Sequence, residues 1–236
     1  AHTVDALYND MTQMSPPPEL PDSKALLQQI QVHPFEREIQ LQNVQFAYPT
    51  SRAPVLKDIN LVIPKNTTVG FVGTTGCGKT TLVDVIMGLL QHNGGQILVD
   101  GQVAPVNPWQ RNFGYVPQQI SLNDDTVTAN IAFGIPDKLL DMEAVIRAAK
   151  VANLHDFVME DMPDGYDTIV GERGIRLSGG QRQRVGIARA LYHDPDILVM
   201  DEATSALDSV TEEAVMEAIN TLMHKKTIIL IAHRIT

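Results

Sequence analysis

The run from Gly73 to Thr80 combines glycines with a lysine and a hydroxyl side chain at a spacing that can hold a triphosphate. It fits the pattern G-x-x-x-x-G-K-[ST]. Glycines let backbone N–H groups turn inward toward phosphate oxygens, and the positive end of a following helix adds a field of the right sign. We expect Lys79 to reach the β- and γ-phosphates of a nucleotide and Thr80 to bind Mg²⁺. The nucleotide-binding residues predicted from this run are Gly73, Thr74, Thr75, Gly76, Cys77, Gly78, Lys79, Thr80 and Thr81.

A phosphate loop of this kind needs a buried strand before it and a helix after it. Residues 68–72 include Val69, Phe71 and Val72, which predicts a short buried strand. Apolar residues recur at helical spacing over 81–90, which predicts a helix of that extent. The alternative is a glycine-rich turn without a ligand, and these flanking patterns favour the phosphate loop.

Asp201 and Glu202 form a second group that could do chemistry. They follow the apolar run 197–200, and a similar run over 227–232 precedes His233. Continuous apolar runs are typical of parallel strands buried on both faces, and an apolar helical face over 215–222 completes a βαβ unit. Asp201 could hold Mg²⁺, and Glu202 could polarise an attacking water. Alone, the pair could equally be two solvated acids at a strand end.

The remaining patterns predict an α/β fold with a mostly parallel sheet, a small antiparallel sheet and a helical part. Residues 39–48 alternate in two registers, which predicts strands broken by a bulge or a turn near Asn43. Residues 56–63 and 96–99 continue the β pattern, and Asp100-Gly101 predicts a turn. Helical patterns are present over 142–153 and after Leu177.

The composition excludes some kinds of partner and some kinds of site. The 236 residues carry a net charge of -10 with no basic cluster, which argues against nucleic acid as a partner. One cysteine excludes an internal disulfide and a cysteine-based zinc site. No apolar stretch approaches the roughly 20 residues that span a bilayer, so the chain as it stands should not cross a membrane.

Residues 15–21 are proline-rich, which predicts a linker over 1–36 and a globular domain over 37–236.

The run Leu177–Gln181 matches the signature motif of ABC-type ATPases letter for letter, and the chain resembles that family over residues 37–236. In the family this motif opens a helix that faces the γ-phosphate held by the opposite subunit. The resemblance therefore implies an ATP-bound homodimer, or a dimer with a homologous ATPase domain. It implies nucleotide contacts from Ser178, Gly179, Gly180 and Gln181. Ser178 and Gln181 also have capping-box spacing, so the motif could simply begin a helix, and both interpretations can hold together.

The resemblance assigns four further residues. Gln118 resembles the loop glutamine that contacts Mg²⁺ and the attacking water, although an exposed loop amide is the alternative. Asp208 resembles the aspartate that communicates across the dimer, although a helix N-cap explains it as well. His233 resembles the switch histidine that contacts the γ-phosphate. Tyr48 resembles the aromatic that stacks on adenine, and a core aromatic at a strand end is its alternative.

Two segments, 130–134 and 168–174, resemble those of exporter-type ATPase domains. The resemblance then implies a transmembrane domain of the same transporter as partner, a position at the cytoplasmic face of the cell membrane, and a helical subdomain over about 119–185. Family members usually continue beyond the switch histidine, so the chain ending at Thr236 is expected to be truncated.

We expect an ATPase whose hydrolysis drives export or flipping of a substrate across a membrane. The catalytic residues would be Lys79, Gln118, Glu202 and His233, and the metal ligands Thr80, Gln118 and Asp201. One alternative is a soluble ABC-type ATPase acting on DNA or ribosomes. DNA-repair members of that kind separate the two nucleotide motifs by a long coiled coil, whereas here only 98 residues, without a heptad run, separate Lys79 from Ser178. A second alternative is a nucleotide-binding module that has lost hydrolysis, and the presence of both Glu202 and His233 argues against it.

Overall fold

The computed structural model describes residues 32–51, 53–103, 105–172, 174–201, 216–217 and 219–232. Its strands are β1 (Glu38–Phe46), β2 (Leu56–Pro64), β3 (Thr68–Val72), β4 (Gly94–Val99), β5 (Gln102–Val103), β6 (Phe113–Val116), β7 (Asp125–Thr126), β8 (Ile169–Val170), β9 (Ile197–Asp201) and β10 (Thr227–Ala232). Its helices are α1 (Lys79–Ile86), α2 (Val106–Gln110), α3 (Val127–Ile131), α4 (Met142–Val151), α5 (His155–Glu160) and α6 (Gly179–Leu191). Among these ranges, no helix has the length and apolar character to cross a bilayer.

The predicted small antiparallel sheet is present and has the strand order β2-β1-β4-β5. In β1 the register shifts between the pair Leu41↔Leu61 and the pair Val44↔Ile59. Three residues of β1 therefore match two of β2, and Asn43 takes a positive φ of 50° at this point. The extra residue lets Leu41 and Val44 both point into the core although they are three apart, which confirms the predicted bulge.

The parallel sheet has the order β3-β10-β9-β6, and all of its pairs are parallel. The apolar runs of β9 and β10 are strands buried on both faces, as predicted. On one face Ile197 and Val199 join the cluster that contains the apolar side of α1. On the other face Leu198 and Met200 join the cluster that contains α6.

The helix α6 approaches the parallel sheet unusually closely. A Cβ added at Gly114 of β6 would overlap the carbonyl oxygen of Ala190, and one added at Gly186 would overlap the side chain of Ile120. Glycine at both positions therefore lets the helix backbone rest directly on β6 and on the loop that follows it.

The prediction of a helix over 81–90 was wrong at both ends. The helix α1 begins at Lys79 and ends at Ile86. Gly88 takes a φ of 74°, a left-handed conformation that ends a helix, and Leu89 and Leu90 follow it outside the helix. Leu90 packs against the cluster that contains α1, whereas Leu89 is 60% exposed. Between β9 and β10, residues 216–217 and 219–222 are helical, and Ile219 and Leu222 are buried as expected.

The packed part of the chain includes residues upstream of the predicted start at 37. Phe35 is buried and lies edge-on to Trp109, with ring centroids 5.9 Å apart. The carboxylate of Asp100, in the predicted turn after β4, accepts hydrogen bonds from the backbone N–H groups of Glu36, Arg37 and Glu38 at 2.7, 2.7 and 2.9 Å. Asp100 thus fixes the point at which β1 begins.

Candidate nucleotide site

The loop from Gly73 to Gly78 joins β3 to α1, as its motif predicts. Gly78 is the N-cap of α1 and has a φ of 97°, and Gly76 has a φ of 81°. Both values lie in the left-handed region, which side chains other than glycine rarely adopt. A Cβ at Gly78 would also lie 3.0 Å from Cγ1 of Val55. The motif therefore needs glycine here for backbone conformation and for close approach.

The ammonium group of Lys79 lies over this loop. Its Nζ donates hydrogen bonds to the carbonyl oxygens of Gly73 at 2.8 Å and of Thr74 at 3.1 Å. The Sγ atom of Cys77 lies 3.9 Å away, and Cys77 is exposed. The loop thus carries a positive charge at its centre, next to the N-terminus of α1, which is the arrangement that attracts an anion.

A cleft of about 270 Å³ opens beside the loop. Seven of the predicted nucleotide-binding residues line it, together with one residue that the motifs did not indicate; the lining is Tyr48, Thr75, Gly76, Gly78, Lys79, Thr80, Thr81 and Val55. Val55 immediately precedes β2, and no motif marks it. Its side chain supplies apolar surface opposite the glycines, which suits a base or sugar better than a phosphate.

Tyr48 forms one wall of the cleft. Its ring is 39% exposed and lies edge-on to Phe46 at 4.9 Å, so one part of the ring packs and the rest stays open. Its hydroxyl is 3.2 Å from Oγ1 of Thr81, which is buried. Thr81 therefore holds the aromatic ring against α1.

The parallel strands gather the other predicted residues at one edge of the sheet. The carboxyl ends of β3, β9, β10 and β6 lie side by side because all four strands run in the same direction. Gly73 follows β3, Asp201 ends β9, and Gln118 lies in the bend after β6. Ligands of open parallel sheets bind at this edge.

Three predicted residues, Glu202, Asp208 and His233, lie outside the residues that the structure describes. Their assignments stay predictions. In the sequence, Glu202 directly follows the last residue of β9 and His233 directly follows the last residue of β10.

The carboxylate of Asp201 has two neighbours that the sequence reasoning missed. The hydroxyl of Tyr115 donates a hydrogen bond to its Oδ2 at 3.0 Å. Burial, and then the charge of Asp201, raise the pKa of Asp84 on α1. Burial, the charge and hydrogen bond of Asp201, and the charge of Asp84 raise the pKa of Tyr115 well above its usual value. Asp84 could have been predicted from the sequence, because it lies four residues after Thr80 and therefore on the same face of α1.

This donor set fits Mg²⁺. Magnesium is usually held by one or two carboxylates together with substrate phosphates, not by an all-protein cage. Consistent with that mode, the described ranges contain no group of three or more His, Cys, Asp or Glu able to hold a metal ion by themselves. The charge of Asp201 contributes to raising the pKa of Asp84, so the two carboxylates interact unfavourably when both are charged. A divalent cation offsets repulsion of this kind. Thr80 adds an exposed hydroxyl at the start of α1.

The signature run begins α6, and its capping alternative is confirmed. Gln181 N–H donates to Oγ of Ser178 at 3.2 Å, and Ser178 N–H donates to Oε1 of Gln181 at 2.7 Å. Ser178 and Gly179 are exposed, whereas Gly180 is buried. The cap makes the N-terminus of α6 rigid, and its first residues are open to solvent. This helix end can therefore also bind an anion.

The segment 168–174 pairs with residues that lie just before the other exporter-like segment. The strand β7, just before α3, pairs with β8, so that Thr126 lies opposite Ile169. The side chain of Asn130 donates to the carbonyl oxygens of Asn123, Asp125 and Thr126. Arg189 of α6 donates to the carbonyl oxygen of Asn130 and lies 4.8 Å from the centre of the Phe133 ring. The contacts of Arg189 join the segment 130–134 to the signature helix.

Comparison with known proteins agrees with this geometry. Residues 56–205 match the family model described as ABC transporter. Proteins of Staphylococcus aureus strains NCTC 8325 / PS 47 and Mu50, named as multidrug export ATP-binding/permease proteins, are each 46% identical over 201 residues, 84% of this chain and 34% of theirs. A solved bacterial Atm1-family ABC exporter with ATP bound has a TM-score of 0.74 and 36% identity, covering 88% of this chain and 36% of that one.

The chain thus spans about a third of the length of the relatives that it matches. Within that third lie the phosphate loop, the carboxylate at the end of β9 and the signature helix, on a fold with a parallel nucleotide-binding sheet and an antiparallel sheet. On the sequence match and the shared fold, the chain belongs to the ABC transporter family and is an ATP-binding domain of the kind that hydrolyses ATP.

Proposed function

We propose that the chain is the ATPase domain of an ABC exporter, in which two such domains close around two Mg²⁺–ATP molecules to drive export or flipping of a substrate. The observation that supports this proposal most strongly is made at the carboxyl ends of the parallel strands. The loop of Lys79, the segment of Gln118 and the carboxylate of Asp201 all lie at that edge of the sheet. The relatives, which are permease and ATP-binding proteins in one chain, support a transmembrane partner in the same transporter.

In this proposal each side chain acts by position and charge. Lys79 binds the β- and γ-phosphates, and Tyr48 stacks on the adenine. Thr80, Gln118 and Asp201 hold Mg²⁺, which offsets charge on the phosphates. Glu202 orients and polarises the attacking water, and His233 contacts the γ-phosphate. In-line attack on a phosphate demands positioning more than covalent chemistry, so these groups suffice.

The closed state needs a second ATPase domain, identical or homologous. The exposed start of α6, at Ser178 and Gly179, would face the γ-phosphate held by the loop of its neighbour, with Gly180 and Gln181 keeping the helix end in shape. Asp208 would communicate across that interface. Hydrolysis removes the bridging phosphate and lets the two domains separate. The domain would work at the cytoplasmic face of the membrane. Its net charge of -10 argues against nucleic acid as a partner.

The experiment that tests the proposal uses Glu202→Gln. The amide cannot act as a base, so we expect ATP binding to persist, turnover to be lost, and a Mg²⁺–ATP-dependent dimer to accumulate. Phosphate release measures turnover, and size-exclusion chromatography with ATP measures the dimer. Glu160→Gln, an exposed carboxylate in α5, is the matched control and should behave as the unmodified chain. Full turnover by Glu202→Gln would remove Glu202 from the catalytic role.

A further inference from the structure

The side chains of Tyr115 and Asp201 project from the same face of the parallel sheet. Tyr115 pairs in register with Val199, and Asp201 lies two residues further along β9. Because side chains alternate along a strand, Val199 and Asp201 project from one face, the face that packs against α1. A long aromatic side chain can reach the diagonal neighbour on the next strand. The hydroxyl of Tyr115 does so, at 3.0 Å from Oδ2 of Asp201.

The chemistry of the two groups fixes the direction of this hydrogen bond. A carboxylate can only accept, so the phenol donates. Hydrogen bonds to ionised acceptors are among the strongest in proteins, because the acceptor carries a full charge. The bond to Oδ2 therefore fixes the orientation of the Asp201 carboxylate and leaves lone pairs on both of its oxygens for a cation or its water.

The hydrogen bond joins neighbouring strands. Tyr115 lies on β6, which pairs in parallel with β9, and Asp201 is the last residue of β9. The hydroxyl therefore offers the Asp201 side chain a fixed donor on the adjacent strand.

On the basis of the ATPase function proposed above, we propose that Tyr115 is a positioning residue that holds Asp201 in place for Mg²⁺. Tyr115 also lies on the strand that leads into the segment of Gln118, three residues later. A shift of that segment therefore moves the hydroxyl that orients Asp201. One tyrosine thus connects two of the three predicted metal ligands.

The test removes only the hydroxyl, with Tyr115→Phe in the full 236-residue chain. Mn²⁺ replaces Mg²⁺ as a paramagnetic probe, and its binding in the presence of adenylyl-imidodiphosphate is measured by electron paramagnetic resonance. We expect the Mn²⁺ affinity to fall about 10-fold or more, as for other residues that orient a metal ligand. ATP affinity measured without divalent metal should not change.

Tyr166→Phe is the matched control. Its hydroxyl also bonds to a side chain, Nδ1 of His155 at 2.8 Å, but in the helical part of the domain. It should leave Mn²⁺ affinity unchanged. A double-substituted chain, Tyr115→Phe with Asp201→Asn, gives the decisive comparison: if Tyr115 acts through Asp201, the phenylalanine causes no further loss in that background.

The outcomes separate the inference from the function on which it rests. Equal Mn²⁺ affinity in Tyr115→Phe and the unmodified chain would overturn the role of Tyr115, and so would a loss that persists beside Asp201→Asn. An unmodified chain that binds neither ATP nor Mn²⁺ with nucleotide would overturn the proposed function itself, and the inference with it.

Discussion

Single side chains carry the specificity of the cleft, and Tyr48 illustrates how two roles of one residue can be separated. Its ring offers a stacking surface, while its hydroxyl contacts Thr81 on α1. Stacking depends on the ring alone. The hydroxyl can only fix where the ring lies.

Replacing Tyr48 by phenylalanine and by alanine should therefore give different results. Tyr48→Phe keeps the ring and loses one neutral hydrogen bond, so ATP affinity should stay within about threefold of the original. Tyr48→Ala removes the stack, which is worth about 1–3 kcal/mol for a base, and affinity should fall by about 5- to 160-fold. Isothermal titration calorimetry measures both. Unchanged affinity in Tyr48→Ala would make Tyr48 a core aromatic without a role in adenine binding.

Residues in local motifs could be predicted from the sequence, whereas residues defined by strand pairing could not. The glycines of the loop and the cap formed by Ser178 and Gln181 follow from spacing along the chain. Tyr115 acquires its position only because β6 pairs with β9, 86 residues away in sequence from the Asp201 that it contacts. Val55 is similar, since it reaches the cleft through the packing of β2 against the loop.

At the scale of elements, Asp100 shows how one turn residue can determine where a strand begins. Burial raises its pKa, but hydrogen bonds from three backbone N–H groups and the charge of Arg37 outweigh that effect, so the pKa lies below its usual value. A lowered pKa means that the charged form stabilises the fold. This contribution is present above the unfolded-state pKa, about 3.9, and is lost as the pH falls through the folded-state value.

Asp100→Asn should therefore destabilise the domain in a pH-dependent way. The amide keeps one acceptor oxygen and loses the charge, which should cost about 1 kcal/mol at neutral pH, a low figure because the side chain is partly open to solvent. The difference from the original chain should shrink below about pH 4. Urea unfolding at both pH values measures it, with Asp137→Asn, an exposed carboxylate, as control. A difference that does not depend on pH would mean that the carboxylate charge is not involved.

Strands with a clear apolar pattern and the longer helices were predicted well, whereas the short helices were not. The strands β1, β2, β4, β9 and β10 and the helices α4 and α6 match their patterns closely. The helices α2, α3 and α5 have only five or six residues, too few for helical periodicity to stand out. The end of α1 was missed because Gly88 ends the helix although the apolar spacing continues to Leu90.

At the scale of the whole molecule, the proposed dimer makes each ATP site from two chains. The loop of Lys79 comes from one chain and the start of α6, at Ser178, from the other. If the site is shared, a dimer of two differently defective chains should keep one intact site and be active. If each site is formed within one chain, both sites of that dimer would be defective.

Mixing two inactive variants tests this arrangement. Lys79→Ala removes the charge that binds phosphate. Ser178→Asp keeps a good helix N-cap but places a negative charge against the γ-phosphate. Each variant alone should lack turnover, and an equal mixture should recover it, because each mixed dimer contains one site with Lys79 and Ser178 both intact. Phosphate release measures recovery, and a chain carrying both changes, mixed with either single variant, is the control. A mixture as inactive as its components would contradict a site shared between chains.

The direct contact of α6 with β6 has a mechanical consequence. With glycine at 114 and 186, the backbone of α6 at Ala190 touches β6 at Gly114, and Gly186 packs against the side chain of Ile120. A larger side chain at either position would push the signature helix away from β6 and from the residues that follow it. We therefore expect the orientation of the signature helix and that of the segment carrying Gln118 to depend on each other.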